Sequence, residues 1–338
     1  MARALGDDGP NPDCRAGEHR LSPKSPKGAP GSWRQEPPVP DGTVEGGVTA
    51  VGGTVYAAGG SAPHDLRRVL AFNVRQRRWS EPTRLPVGLN HFQPVAYKGA
   101  LYVTGGFLEG NHPTGRFFRY EPSTTSWSEL PSMRVTRGAT GAAVIQDRLY
   151  VVGGGPNDFP EQEVQGETTL EIYDFRTRRW TRGPDMRVRR HHLAAAAVDG
   201  KLYALGGRRR GDQSLNSVER YDPGQRRWET LPSIPLGVSA HGAVGAGGRL
   251  VVVGGADETG WEKGGGWVTP AAWALEPSSL RWSRLPDLRT ERRGFGAAFS
   301  RGRVYAVTGA PCSGLGPKGP AATRSVESLG VGRVGGGP

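Results

Sequence analysis

The sequence predicts an all-β fold in which six small antiparallel sheets repeat along the chain and close into a ring. Three observations predict it. An apolar run that ends in paired glycines recurs six times, as in "KLYALGG" at 201–207. A tryptophan stands 27 residues before the last glycine of every run. The first tryptophan, Trp33, precedes the first glycine pair, which indicates that the two ends of the chain share one sheet.

The glycines and tryptophans form one register. The six final glycines are Gly60, Gly106, Gly154, Gly207, Gly255 and Gly309, and the matching tryptophans are Trp33, Trp79, Trp127, Trp180, Trp228 and Trp282. A tyrosine stands four positions before five of these glycines, with Val251 in the sixth copy of that position. The interval from each glycine to the next tryptophan instead varies from 19 to 27 residues. A constant interval indicates a packed framework, and a variable one indicates surface loops.

The first two strands of each repeat are predicted to form a tight hairpin. A two-residue break lies seven and eight positions before the final glycine, and five of the six breaks end in Gly, as in "DG" at 199–200. Glycine suits the positive φ that a two-residue hairpin turn requires. Apolar runs flank the break, as in "HLAAAAV" and "KLYAL". The paired glycines therefore come at the end of the second strand.

A third strand and the tryptophan-bearing fourth strand complete each repeat. The third recurs as "VLAFN" (69–73), "RFFRY" (116–120), "LEIYD" (170–174) and "SVERY" (217–221). Four short strands in every 46 to 54 residues make one small sheet, which cannot bury both of its faces alone. Radial stacking of such sheets leaves few exposed edges, so the pattern predicts a six-bladed β-propeller.

The last blade is predicted to be closed by the N-terminal strand. Trp33 lacks a preceding hairpin, and the last hairpin (295–309) is followed by "ATRSVESL" without a tryptophan. Three strands from the C-terminus and one from the N-terminus then make the sixth sheet, with no strand left over.

The six copies resemble the kelch family of β-propellers over about residues 32–329. In that family a double glycine ends the second strand, and a spaced tyrosine and tryptophan pack between blades. The resemblance implies that the glycine pair leaves the sheet close to the neighbouring blade. Departures from the pattern are Thr308 in place of a first glycine, and Val251 and Leu275 in place of aromatic residues. We expect a propeller over 31–330 and disordered tails at 1–30 and 331–338.

Composition narrows the class of protein. The formal charge is +12, and only six of the 44 basic residues are lysine. An arginine-rich surface attracts anionic partners, although solvated arginines alone also explain the charge. The longest apolar run, "LAAAAV" (193–198), is too short to cross a bilayer. The first 20 residues contain no apolar h-region, so no signal peptide is expected. We therefore expect a cytoplasmic protein. We also expect a monomer. Cys14 and Cys312 do not form a disulfide framework.

The connections from the fourth strand of one blade to the first strand of the next hold the candidate binding residues. Arg137, Arg190 and Arg292 stand 17 positions before the final glycine of three blades. The resemblance implies that such arginines, in some family members, ring the channel mouth and bind acidic peptides. Packing and loop hydrogen bonding are an equally weighted alternative. Three histidines lie within three residues of this register, and they are His91, His192 and His241.

The longest connection between a second and a third strand, residues 254–277, adds candidate aromatic residues. It contains three tryptophans in a glycine-rich segment. Trp273 is predicted to belong to the third strand. Trp261 and Trp267 are candidates for a binding platform, since exposed indole rings stack on sugars, arginines or peptide side chains. The equally weighted alternative is that they fold back over the blade.

No catalytic or metal-binding spacing stands out in the sequence. The seven histidines show no HxH or H-x-x-x-H pattern, so neither a metal nor another cofactor is expected. The alternative function is that of a carbohydrate-active enzyme of the sialic acid mutarotase (N-acetylneuraminate epimerase) type. Arg137, Arg190 and Arg292, with Glu45 or Glu291, would then do acid–base work at the channel mouth.

A third class of function rests on the turns such as "RQRRW" (75–79), which carry positive charge on the opposite rim. They lack the interleaved aromatic residues that stack on bases, so nucleic acid is not an expected partner. The function favoured by the sequence is a non-catalytic binding module. Its partner is expected to be a protein or peptide, acidic or not, with an anionic sugar as the alternative ligand.

Overall fold

Each glycine-ended run forms the second strand of a hairpin, and the hairpins are arranged as six four-stranded antiparallel sheets. The structure is a computed structural model that describes residues 31–61, 67–156, 166–209, 213–258, 267–311 and 322–332. Consecutive first strands contact one another around the whole ring, from blade to blade and from the last blade to the first. The predicted six-bladed propeller is confirmed.

We number the blades by their first strands. Blade 1 consists of β2 (Gly47–Val51), β3 (Thr54–Ala58), β4 (Arg68–Asn73) and β5 (Arg78–Arg84). Blade 2 consists of β6 (Val95–Tyr97), β7 (Ala100–Thr104), β8 (Phe117–Glu121) and β9 (Ser126–Leu130). Blade 3 consists of β10 (Gly141–Ile145), β11 (Arg148–Val152), β12 (Leu170–Asp174) and β13 (Arg179–Arg182).

The second half of the chain follows the same plan. Blade 4 consists of β14 (Ala194–Val198), β15 (Lys201–Leu205), β18 (Val218–Asp222) and β19 (Arg227–Leu231). Blade 5 consists of β20 (Gly242–Ala246), β21 (Arg249–Val253), β24 (Ala272–Glu276) and β25 (Arg281–Leu285). Blade 6 consists of β26 (Gly296–Ser300), β27 (Arg303–Val307), β28 (Val326–Gly330) and β1 (Arg34–Glu36).

The connections between second and third strands contain short elements of secondary structure. A 3₁₀ turn, Glu109–Asn111, lies in blade 2. Two-stranded ribbons rise from blades 4 and 5, and they are β16 (Arg208–Arg209) with β17 (Gln213–Ser214), and β22 (Ala256–Asp257) with β23 (Trp267–Val268). Within the described ranges, no helix has the length and apolar character needed to cross a membrane.

The N-terminal strand closes blade 6. Strand β1 pairs antiparallel with β28, with Arg34 opposite Ser328 and Glu36 opposite Val326. Glu36 is buried and accepts a hydrogen bond of 2.6 Å from the Ser328 hydroxyl. The predicted joining of the two chain ends in one sheet is confirmed.

The tryptophan register forms a closed ring of hydrogen bonds near the outer strands. Each indole Nε1 donates to the residue that lies four positions after the tryptophan of the preceding blade. Five acceptors are proline carbonyls and the sixth is the Thr83 hydroxyl, at 2.6 to 3.0 Å. Trp33 donates to Pro286, so this ring also crosses the junction between the chain ends. These bonds tie each tryptophan to the preceding blade, so the tryptophan register is part of the packed framework between blades.

The paired glycines allow close backbone approaches. Gly153 has a φ of 65°, and a Cβ there would lie 2.8 Å from Leu193 and 2.9 Å from the Arg190 carbonyl of blade 4. Gly154 has a φ of 93°, and its Cβ would lie 2.5 Å from the Gly138 carbonyl. Side chains cannot enter these gaps, so glycine is required at both positions. The implied proximity to the neighbouring blade is confirmed at Gly153.

Candidate functional site

One face of the propeller carries both kinds of variable connection, and we call it the loop face. It consists of the six connections that lead into the first strands, together with the connections between second and third strands. Isolated β-bridges tie the two kinds together, as between Asn90 and Phe107 and between His191 and Arg208. The site described below lies at the centre of this face, where the channel opens.

A closed ring of six backbone hydrogen bonds surrounds the channel mouth. Its members stand 15 positions before each final glycine, and they are Glu45, His91, Ala139, His192, Ala240 and Gly294. Each N–H donates to the carbonyl of the member from the preceding blade, at 2.6 to 3.0 Å, and Glu45 donates to Gly294. All six have a φ between 49° and 58°. This left-handed conformation costs a non-glycine residue roughly 1–2 kcal/mol, which the ring of hydrogen bonds offsets.

Three members of this ring bring polar side chains together. Glu45, His91 and His192 each offer a donor atom, and these three atoms all lie within 4.8 Å of one another. His91 Nε2 lies 3.6 Å from Glu45 Oε2. The other three members have small or no side chains, so space remains in the centre. The mouth therefore concentrates two imidazoles and one carboxylate from three separate blades.

A charged network surrounds this cluster. Glu258 is buried and accepts a 2.5 Å hydrogen bond from the Ser239 hydroxyl. It forms ion pairs with Arg208 and with Arg293, the latter at 3.6 Å. Burial opposes the charge on Glu258, but the two arginines outweigh it and hold the pKa of this carboxyl below its usual value. Arg293 also lies 3.7 Å from Glu45 Oε1, so the network joins the central cluster.

The cavity at the mouth is small. Its volume is about 80 Å³, and its lining includes Glu45, His91, His192 and His241. Gln93 lies below it, between this cavity and a second one of about 210 Å³ in the lower channel. The Gln93 amide donates to the Ala195 carbonyl at 2.6 Å and accepts from the Ala142 and Ala195 N–H groups. Gln93 thus links three blades across the channel.

The three arginines singled out by the sequence are buried inside their blades. Arg137, Arg190 and Arg292 are each 0% exposed. Arg190 donates to the Gly206 and Ser217 carbonyls and pairs with Glu219 at 2.8 Å. Arg292 makes the equivalent contacts with Thr308, Ser325 and Glu327, and Arg137 pairs with Glu171 at 3.3 Å. These are the contacts of blade packing and loop hydrogen bonding, the second of the two roles considered for them.

The buried glutamates also hold the connection that carries each arginine. Glu219 accepts the N–H groups of Arg187 and Val188 at 2.8 and 3.1 Å. Glu171 and Glu327 do the same in blades 3 and 6. The first N–H donor of each pair belongs to an arginine 20 positions before the final glycine, and these arginines are Arg134, Arg187 and Arg289. All three are exposed, so the loop face presents arginines three residues away from the predicted positions.

The three predicted histidines occupy two kinds of position. His91 and His192 belong to the hydrogen-bonded ring. His241 follows the ring member Ala240 and is buried, and neither ring nitrogen has a hydrogen-bond partner in the described part of the chain. Burial, with a smaller contribution from the charge of Arg190, lowers the pKa of His241 from 6.5 to about 3. His241 is therefore neutral at physiological pH.

The three tryptophans of the long connection differ in their positions. Trp273 lies in β24, as expected, with the Arg284 guanidinium 4.6 Å from its ring centroid. Trp267 lies in the ribbon β22–β23, opposite Asp257, and is partly exposed. Trp261 lies outside the described residues.

Sequence reasoning missed several members of the site. Glu258, Arg208, Arg293 and Gln93 carry no local motif, and Glu45 was considered only as an acid–base partner of the buried arginines. One feature of the sequence could have pointed to the site. The residues 15 positions before the final glycine differ sharply among blades, whereas the framework positions are nearly constant. Their convergence at one point follows only from closure of the ring.

Comparisons with known proteins agree with this architecture. A sequence profile of the KLHDC2/KLHL20/DRC7 Kelch-repeats domain matches residues 45–255 and, in a second match, 139–314. Kelch-like protein terF of Aspergillus terreus is 26% identical over 305 residues, which cover 84% of this chain and 66% of that protein. Kelch-like protein 25 of Xenopus tropicalis is 27% identical over 228 residues, which cover 67% of this chain and 37% of that protein. The chain thus spans between about a third and two thirds of these curated relatives.

A solved structure shows the same fold at lower identity. The structure of YjhT superposes with a TM-score of 0.70 at 17% identity, covering 86% of this chain and 95% of that chain. This likeness concerns the fold alone. The family assignment rests on the sequence profile, whose two matches together extend from residue 45 to residue 314, well over half of the chain. The chain therefore belongs to the kelch-repeat family.

Proposed function

We propose that this chain is a non-catalytic binding module that takes a protein partner with an acidic segment on its loop face. Membership of the kelch-repeat family and the propeller fold support a protein-interaction module. The choice of face and of partner chemistry is our inference from the described residues, and the cytoplasmic location and monomeric state expected from the sequence stay predictions.

The exposed arginines of the loop face carry this proposal. Arg134, Arg187 and Arg289 are exposed, and their guanidinium groups make no ion pair within the ranges that the structure describes. Their backbone N–H groups are tied to buried carboxylates, so each arginine projects from a fixed point. A guanidinium group matches a carboxylate in a bidentate geometry, which suits recognition of acidic side chains.

The ribbon of blade 5 adds an aromatic contact. Trp267 is partly exposed on the same face. Tryptophan is common among the residues that contribute most to binding energy at protein interfaces. Its side chain offers a large contact area and loses little conformational entropy when it becomes ordered. Exposed arginines and one partly exposed indole on the same face make a surface suited to a peptide with acidic and apolar residues.

The size of the mouth cavity argues against the carbohydrate-active alternative. Pockets for small organic ligands usually measure roughly 300–1,000 Å³, whereas this cavity measures about 80 Å³. The arginines assigned to acid–base work in that alternative are buried and paired with glutamates. No observation favours the mutarotase type over the binding module.

The test compares charge reversal on two faces of the same protein. Labelled peptides of acidic, basic and neutral composition are titrated by fluorescence anisotropy with the wild type, with R134E/R187E/R289E and with R75E/R176E/R227E. The second variant removes three exposed arginines from the opposite rim. We expect the loop-face variant to lose at least tenfold in affinity for acidic peptides, while the rim variant stays close to wild type.

Two results would contradict the proposal. Equal losses in both variants would show attraction by net charge instead of recognition by one face. A thermal shift with sialic or uronic acids, without binding of any peptide, would favour the carbohydrate alternative.

A further inference from the structure

We propose that Glu45, His91 and His192 bind one divalent transition-metal ion at the centre of the channel mouth. The inference is independent of the protein partner and concerns a different set of residues from the exposed arginines. It rests on the convergence of two imidazoles and one carboxylate from blades 1, 2 and 4 around a small cavity.

The spacing of the donor atoms fits a metal site after small side-chain rotations. Metal–ligand distances for imidazole nitrogen and carboxylate oxygen are about 2.0–2.2 Å, which places bound donors roughly 3–3.5 Å apart. His91 Nε2 and Glu45 Oε2 are already 3.6 Å apart. The donor atoms of all three residues lie within 4.8 Å of one another, so a shift of about an ångström by each side chain completes the set.

A neighbouring side chain contacts a polar atom of each of the three residues. His91 Nδ1 is hydrogen-bonded to the Asn90 side chain at 2.6 Å, and His192 Nδ1 to His191 Nδ1 at 2.6 Å. Glu45 Oε1 faces Arg293 at 3.7 Å. Metal-ligating histidines and carboxylates are characteristically held in this way, with the second polar atom engaged outside the metal.

The backbone ring does not itself require these polar side chains. Ala139 and Ala240 occupy equivalent positions in the same left-handed conformation and make the same backbone hydrogen bonds. The carboxylate and the imidazoles at the other positions therefore contribute something that the ring does not need. A shared ligand accounts for all three.

The cavity and its charges accommodate an ion with coordinated water. A buried water needs about 10–15 Å³ of accessible volume, so the 80 Å³ cavity holds an ion and several waters. Arg208 Nη2 lies 3.4 Å from His192 Nε2. A bound ion would displace the Arg208 guanidinium group from this position. Arg208 retains its ion pair with the buried Glu258, which balances the positive charge of the guanidinium group.

The donor set selects the class of metal. Imidazole nitrogens with one carboxylate suit Zn²⁺, Fe²⁺ or Co²⁺, whereas Ca²⁺ and Mg²⁺ prefer oxygen ligands alone. Sequence spacing could not reveal the site, because the three residues stand 46 and 101 positions apart. Local ligand motifs such as H-x-x-x-H exist only where one element supplies both ligands.

The experiment titrates Co²⁺ into the full, untagged chain after chelation and desalting. A C14S/C312S background removes the two thiols that would compete for the ion. Binding is followed by calorimetry and by the visible absorption of protein-bound Co²⁺. We expect one equivalent to bind the parent protein, and E45Q, H91N and H192N each to weaken binding by at least roughly tenfold. Asparagine tolerates the left-handed conformation, so these histidine variants should keep the ring.

A histidine outside the proposed metal site provides the control for these substitutions. H112N alters an exposed histidine away from the mouth and should bind Co²⁺ like its parent. Unfolding in the presence of chelator verifies that each variant is folded. The proposal fails if the parent protein binds no Co²⁺ at millimolar concentration, or if a folded H91N/H192N variant keeps one equivalent with unchanged affinity.

Discussion

His241 illustrates how a single buried side chain imposes a pH dependence on the whole molecule. Its pKa is lowered from 6.5 to about 3 in the folded state, first by burial and then by the charge of Arg190. Between these two values the unfolded chain binds the proton more readily than the folded one. The contribution of His241 to stability is therefore complete above about pH 6.5 and is lost progressively as pH falls toward 3.

The loss attributable to His241 should be measurable by substitution. At 1.36 kcal/mol per pH unit, lowering the pH from 6.5 to 4 removes roughly 3 kcal/mol. Leu193 occupies the equivalent position in blade 4, so H241L replaces the histidine by a residue that the register already accepts. Urea unfolding at pH 7 and pH 4 should show a smaller acid loss for H241L than for the wild type. An acid loss identical in both proteins would mean that His241 is not held neutral.

At the scale of the element, the connection into the first strand is built from one of two alternative sets of residues. Blades 3, 4 and 6 combine a buried arginine with a glutamate that also accepts backbone N–H groups. Blades 1, 2 and 5 have proline 20 positions before the final glycine, where the other design has an arginine whose N–H needs an acceptor. In blade 2 the set is Pro86, with Leu89 and Phe118 in place of the arginine and glutamate.

Introducing the apolar residues of blade 2 into blade 4 should restore the stability that is lost when the Arg190–Glu219 ion pair is broken. R190L alone leaves Glu219 charged and buried, which should destabilise the protein by about 3–5 kcal/mol. The triple variant R187P/R190L/E219F installs the set of blade 2 in blade 4 and should recover most of that loss. Urea unfolding of the wild type, R190L and the triple variant measures both effects. A triple variant no more stable than R190L would show that the two designs are not interchangeable.

At the scale of the whole molecule, two closed rings of hydrogen bonds hold the blades together. The outer ring joins indoles to the preceding blade, and the inner ring joins backbones around the mouth. Both cross the junction between the chain ends, through Trp33 in the outer ring and Glu45 in the inner one. The N-terminal strand is therefore part of the framework.

Two N-terminal deletions should separate the tail from the framework. Removal of residues 1–30 should leave the melting temperature unchanged, because it spares β1 and Trp33. Removal of residues 1–36 deletes the 2% exposed Trp33 and leaves β28 as an open sheet edge. We expect a loss of at least about 3 kcal/mol and association in size-exclusion chromatography. Equal, cooperative thermal unfolding of the two truncated proteins would disprove closure through β1.

The sequence by itself determined the fold, because the features that specify it repeat at fixed intervals. A glycine pair, a tyrosine and a tryptophan in constant register report the local demands of a hairpin and of the gap between blades. Six copies of one register also determined the number of blades and the closure by Trp33. The positions of Arg137, Arg190 and Arg292 were readable from the same register, but their burial was not, since it depends on Glu171, Glu219 and Glu327 from another strand.

Only the tertiary structure decided what converges at the channel mouth. Glu45, His91 and His192 are ordinary polar residues in three loops, and nothing within any one repeat distinguishes them as partners. Ring closure brings equivalent positions of distant repeats to a common axis, where one polar atom from each lies within 4.8 Å of the others. The repeat specifies the geometry of each blade through local contacts, whereas the chemistry of the mouth arises from contacts between blades, which no local pattern encodes.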